Sequence, residues 1–220
     1  MNARTLRHIL DGLFAVRKNY FWHIVHGPKR ETWFVAEMIA GISHFLGEIH
    51  SKTKIRVYGE ESYATLLQNF KTESEIVQND TFNCRPDVTV VYGDEITCII
   101  EAKLCTPSDY KNIGYGKGKL LTQLDTAKKI FPGVKVYGVI FVVHTDGLFR
   151  DESEELIDEG EFIEDIENYF EKQNINDKYQ WSIPGIKIQI DEDRFRVRPV
   201  AGMFESVASF AFGIIEPTVS

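Results

Sequence analysis

The sequence predicts an α/β fold, and three observations predict it. Residues 88–92 and 96–104 are rich in Val, Ile and Thr and are separated by Gly93, Asp94 and Glu95, the pattern of a β-hairpin. Lys119 to Phe131 carries Leu120, Leu121, Leu124, Ala127 and Ile130 at the spacing of one helix face, and Pro132-Gly133 ends it. Val134 to His144 is a near-continuous apolar run, as expected of a strand buried on both faces. At 220 residues and 43% hydrophobic, the chain is long enough for one domain with a full core.

The elements follow in order. Residues 1–30 form an N-terminal helical segment with Arg4, Arg7, Arg17 and Lys18, and with no uninterrupted apolar stretch of the secretory kind. Residues 31–49 carry Phe34, Met38, Ile42, Phe45 and Ile49 at helical spacing, while Glu37, Gly41, His44 and Glu48 line a polar stripe. Lys54 to Tyr58 is a strand, followed by Glu60 and Glu61.

The hairpin can be read in two registers. A two-residue loop alone sets Asp87 across from Ile100, pointing away from Glu101. A three-residue loop or a bulge sets Asp87 across from Glu101, and pairs Val88 with Ile100 and Val90 with Cys98 on an entirely apolar face. A buried core needs that face, so the second register is expected. Glu101 and Lys103 then share the site face, because side chains alternate along a strand.

Two carboxylates and a lysine on neighbouring strands suit a hard divalent cation. Mg²⁺ takes one or two carboxylates together with waters and phosphate oxygens. Asp87 and Glu101 are the expected ligands, with the sideways-pointing carbonyl of Ala102 as a third, and Mg²⁺ or Mn²⁺ as the cofactor. Lys103 is placed to orient a water or stabilise a phosphate.

Pro86-Asp87 followed by Glu101-Ala102-Lys103 resembles the motif of the PD-(D/E)XK nuclease superfamily, which includes many restriction and repair nucleases. The resemblance implies a restriction-endonuclease-like α/β/α sandwich with a central mixed sheet. It implies a metal-dependent endonuclease, acting on DNA and of restriction or phage-defence type. Members often have a helix before the hairpin whose glutamate reaches the metal. Glu37 matches that residue, with Glu60 and Glu61 as second candidates. In some members a glutamine on the following helix touches the site, and Gln123 stands at a comparable place. An RNA endonuclease on the same core and a nucleic-acid-binding module that does not cut remain alternatives.

The net charge of −8 is unevenly spread. Residues 1–30 hold six Lys/Arg and one Asp/Glu, and residues 103–135 hold seven and two. Residues 146–177 hold two Lys/Arg and thirteen Asp/Glu. Two basic segments therefore remain to meet phosphates. Lys111, Lys117 and Lys119 are the expected substrate contacts, duplex DNA the expected partner, and the acidic segment should face away. That segment reads as an insertion of one or two amphipathic helices, with Leu156, Ile157, Ile163, Ile166 and Phe170 as its apolar stripe and Gly160 as a break. The loop 114–119, Gly-Tyr-Gly-Lys-Gly-Lys, opens the helix that follows, and its backbone can approach phosphates.

Cys84, Cys98 and Cys105 are odd in number and lack metal-ligand spacing, so they read as free thiols in a reducing, cytoplasmic compartment. The longest apolar run is too short to span a bilayer, and no membrane partner is expected. Gly185 to Ile190 and Arg194 to Val197 read as a second hairpin. Met203 to Ile215 reads as a packed helix and a possible contact in a homodimer or higher homo-oligomer.

Overall fold

The computed structural model describes residues 1–25, 30–49, 54–70, 84–107, 109–145, 159–172, 179–182, 188–189 and 208–217. Two long helices open the chain, α1 (Ala3–Val25) and α2 (Arg30–Ile49). Asn2 starts α1 by accepting hydrogen bonds from the Thr5 amide at 2.8 Å and the Thr5 hydroxyl at 2.9 Å, which satisfies a donor the first turn leaves free. Strand β1 (Ile55–Gly59) leads to the short helix α3 (Tyr63–Asn69), capped by the Ser62 hydroxyl. Strands β2 (Val88–Tyr92) and β3 (Glu95–Cys105) form the expected hairpin. A 3₁₀ turn (Tyr110–Ile113), helix α4 (Leu120–Ile130), strand β4 (Lys135–Thr145) and helix α5 (Glu159–Lys172) follow. Strands β5 (Tyr179–Ser182), β6 (Ile188–Gln189) and β7 (Ala208–Pro217) complete the described elements.

The strands form one mixed sheet in the order β1-β2-β3-β4-β7-β5, with β6 also on β7. β1, β2 and β3 are an antiparallel meander, β3 and β4 are parallel across the α4 connection, and β7 is antiparallel to β4. Helices cover both faces. Leu6, Leu10 and Phe14 of α1 and Phe34, Met38 and Ile42 of α2 pack on Val88, Val90, Ile100, Val139 and Phe141. On the other face α3, α4 and α5 pack through Leu66, Leu120, Leu124 and Ile166 onto Val91, Ile99, Val136, Ile140 and Ile215. Phe14, Phe34, Phe141 and Phe212 bind α1 and α2 to the middle of the sheet, with ring centroids 4.6 Å apart for Phe34–Phe141 and 5.2 Å for Phe14–Phe212. Offset aromatic pairs of this kind add about 0.5–1.5 kcal/mol beyond area burial. The N-terminal helical segment is thus part of the core.

One expectation changes. The described part of Met203 to Ile215 is not helix: residues 208–217 are β7, an inner strand paired to β4 from Gly138↔Ile215 to Thr145↔Ala208. Phe212 and Ile214 face the α1 side while Ile215 faces the α4 side, so the strand is apolar on both faces, and such a run does not distinguish helix from inner strand. Gly160 lies in the first turn of α5, and the part of the acidic segment before Glu159 lies outside the described residues. The expected hairpin at 185–197 lies outside the described residues apart from β6. Among the described residues, no helix is long and apolar enough to cross a membrane.

Gly138 sets how closely α4 approaches the sheet. A Cβ there would stand 3.1 Å from Leu124 Cδ1 and 3.3 Å from Ile215 Cβ. Overpacking of this kind costs about 1–3 kcal/mol. Gly138→Val should therefore lower the urea midpoint without changing the m-value, and an unchanged midpoint would show that α4 is not seated on that glycine.

Candidate functional site

The hairpin adopts the expected register. Val88 pairs with Ile100 and Val90 with Cys98, and the shift that makes this possible lies between Val90 and Val91. Tyr92 pairs with Glu95 around a two-residue turn in which Gly93 has φ 61°. A bulge at Thr97 supplies the extra residue, since Val91 pairs with Ile96 and Val90 with Cys98. The turn is thus the shorter of the two considered, and the bulge restores the register.

β2 starts at Val88, opposite Ile100, so residues 101–105 of β3 extend beyond it. Among the described residues no strand pairs with the backbone on that side, and acidic side chains take its place. Asp87 Oδ2 accepts from the Ala102 amide at 2.6 Å. Glu31 Oε2 accepts from the Leu104 amide at 3.2 Å, and Glu31 Oε1 accepts from Lys103 Nζ at 3.0 Å. In an extended strand a residue's N–H and C=O point to the same side, so the Ala102 carbonyl faces this edge together with Asp87. Pro86 fits here because it has no amide proton to leave unpaired.

Glu101 is 1% exposed. Its Oε1 accepts from the Tyr63 hydroxyl at 2.9 Å, and its Oε2 has no hydrogen-bond partner among the described residues. Burial pushes the Glu101 carboxyl up to about 8, the negative charge of Asp87 pushes the same way, and the Tyr63 hydrogen bond and Lys103 oppose them without prevailing. Burial also raises Asp87, to about 6, against the Ala102 hydrogen bond and Lys103, with Glu31 and Glu60 adding to the rise. Glu60 follows β1 in the left-handed backbone region, φ 54°, where non-glycine residues are uncommon. Asp87, Glu101, Lys103, Glu31 and Glu60 therefore act on one another electrostatically.

Glu37 lies on α2 one turn before Gly41, where a Cβ would meet Ile9 and Leu13 of α1. The glutamate of α2 that bonds Lys103 and the Leu104 amide is Glu31. It extends the buried stripe Val35, Met38 and Ile42 by one turn toward the helix start, and a charge at that place in an apolar stripe was a legible signal. Tyr63 carried no such signal, because its partner is 38 residues away.

The remaining predicted residues are more dispersed. Gln123 flanks the α4 stripe, and its Oε1 is buried with no partner among the described residues. Leu120 and Leu124 beside it approach Gly138, the ladder partner of Glu101. Lys111 and Lys117 are exposed and Lys119 is half-buried, its stem lying against Gly116. The loop's own hydrogen bonds use part of its backbone, as the Gly116 amide donates to Thr122 Oγ1 at 2.8 Å. Helix α5, the described part of the acidic segment, packs beside this region. Tyr169 of α5 donates to the Lys111 carbonyl at 3.1 Å, and Tyr110 meets the Tyr169 ring edge-on at 5.6 Å. Apolar and aromatic packing outweighs the charge pattern here, because the exposed acids of α5 stay in water.

Among the described residues, no three His, Cys, Asp or Glu side chains form a closed cage for an ion. The donors present nevertheless fit a hard divalent cation, which needs only one or two carboxylates. Asp87, Glu101 and the Ala102 carbonyl have the right chemistry, and Glu101 Oε2 is a buried acceptor lacking a donor. Cavities of about 350 and 330 Å³ lie elsewhere, one beside Phe45 and Tyr92 and the other between Arg56 and Phe70. Asp87 and Glu31 instead sit along a sheet edge, with the Glu101 carboxyl buried beside Tyr63.

Both carboxyls bind protons more tightly folded than unfolded. Their contribution to stability is present below the ordinary carboxylate range and is lost as pH rises through about 6 for Asp87 and about 8 for Glu101. In the absence of divalent cations, the denaturation midpoint should fall as pH rises from about 4, the ordinary carboxylate range, to about 8. Glu101→Gln should flatten that slope, and an equal slope in the variant would show that Glu101 is not the group responsible.

No protein-family model matches the chain, and no curated protein or solved structure shows significant similarity to it.

Proposed function

We propose that this protein is an endonuclease that requires Mg²⁺ or Mn²⁺ and hydrolyses phosphodiester bonds in duplex DNA, of restriction or phage-defence type. The observation that carries the reading is the open edge of β3, where Asp87 lies at the position across from Glu101 and Lys103 stands two residues on. The order α2, antiparallel β1-β2-β3, α4 and parallel β4 supports a restriction-endonuclease-like sandwich.

Asp87, Glu101 and the Ala102 carbonyl would hold the cation. Bound there, it would supply positive charge and Lewis acidity beside the scissile phosphate. Lys103 keeps an ammonium at the same edge, tethered by Glu31, where it can donate to the phosphate or to the attacking water. Glu31 also holds the β3 backbone through Leu104, so the lysine and the strand that carries it are fixed together. Lys111, Lys117 and Lys119 would meet backbone phosphates on the strand's exit side, and Gln123 would lie behind the site. The acids of α5 would repel DNA from one flank and so restrict its approach.

Plasmid cleavage tests the reading. The parent should cut with Mg²⁺ and not with EDTA, with single-stranded RNA as the comparison substrate. Asp87→Ala should lose cation binding and cleavage together. Lys103→Ala should lose at least about 10²-fold in rate while still binding the cation. Plasmid cutting by both variants at the parental rate would place the site elsewhere.

The helix glutamate gives a separate test. Glu31→Gln should slow cleavage by about 10-fold or more, as supporting residues do, and Glu37→Gln should slow it less. The reverse ranking would return the role to Glu37.

A further inference from the structure

Tyr63 is the first residue of α3, and it is 1% exposed. Three contacts immobilise it. Its amide donates to the Cys84 carbonyl at 3.0 Å. Its ring meets Phe131, at the end of α4, edge-to-face with centroids 5.4 Å apart. Its hydroxyl donates to Glu101 Oε1 at 2.9 Å. Cys84 lies three residues before Asp87, so one residue ties together both carboxylate-bearing segments.

We infer that Tyr63 is a positioning residue that occupies Glu101 Oε1 and leaves Oε2 as the only oxygen of that carboxylate available to a cation. The inference rests on the proposed nuclease reading and adds a residue to it. Two observations carry it. Glu101 Oε2 is buried with no partner among the described residues, and a buried acceptor left without a donor is destabilising. The tyrosine itself is buried, and its hydroxyl is the donor to Oε1 at 2.9 Å. A tyrosine has two side-chain torsions, both restrained here by packing. It therefore fixes the carboxylate's rotation more firmly than a water or a longer side chain would. A purely structural hydrogen bond would support the fold and leave cation affinity unchanged. A positioning contact affects cation affinity directly.

The test is Mn²⁺ binding to the full chain by calorimetry or paramagnetic resonance, with cleavage measured in parallel. Tyr63→Phe should weaken Mn²⁺ binding by about 10–100-fold, the usual effect of removing a group that orients a ligand. Its KM for DNA should be unchanged, and raising the cation concentration should recover part of its kcat. In a Glu101→Gln background, Tyr63→Phe should have no further effect on binding. Parental Mn²⁺ affinity in Tyr63→Phe, with only a lower melting temperature, would overturn the inference. Should Tyr63→Phe not fold, Phe131→Leu loosens the ring while keeping the hydroxyl. A loss of about 3-fold in Mn²⁺ affinity would support the role, and unchanged affinity would overturn it. A parent that binds no Mn²⁺ would instead sink the nuclease reading, and the inference with it.

Discussion

The pairing of Val88 with Ile100 is the constraint on which the site depends. It sends Val88, Val90, Cys98 and Ile100 into the core beneath α1 and α2. The neighbouring side chains, Glu101 among them, must then face the other way. A slip of one residue would move every one of them to the wrong face, burying a glutamate among phenylalanines and exposing an apolar row to water. The apolar core thus holds the polar site in register. The bulge at Thr97 is the local cost of reaching that register around a short turn. Because β2 starts late, the same pairing leaves the end of β3 open, and Asp87 and Glu31 complete its hydrogen bonding in place of a strand.

Electrostatics at this edge are governed by burial. Lys103 lies beside both carboxylates and lowers each of them, yet desolvation is the larger effect and both are raised. Four acids around one lysine would repel one another if all were charged. Protonation relieves that repulsion in the protein alone, and a divalent cation would relieve it differently. Were an edge of this kind to take up a cation, it would have to release protons to do so.

The acidic helix α5 shows where charge counting misleads. Residues 146–177 were expected to face away from a substrate held by the lysine-bearing segment 103–135. Phe162, Ile166 and Phe170 nevertheless bury α5 in the core, and Tyr169 joins it to the turn that carries Lys111. Exposed charges interact weakly through water, whereas buried aromatic area does not. The acids accept the location that the apolar stripe dictates.

The sequence by itself determined the elements with strong periodicity and the register of the hairpin. The α4 stripe from Leu120 to Ile130 and the β4 run are buried as the spacing required. Asp87, Glu101 and Lys103 could be placed because strand alternation and an apolar opposite face leave one arrangement. Only the tertiary structure decided which helix residues reach them. Glu31, which the helix pattern did not single out, bonds Lys103, while Glu37 shares its stripe with Gly41, whose Cβ position meets α1; nothing local reveals which face of a helix meets a second helix. Tyr63 enters through the packing of α3 against β3, a contact 38 residues apart in the chain. Residues 208–217 were misread for the same reason. An apolar run says that a segment is buried, and its partner, here β4, decides whether it is buried as helix or as strand.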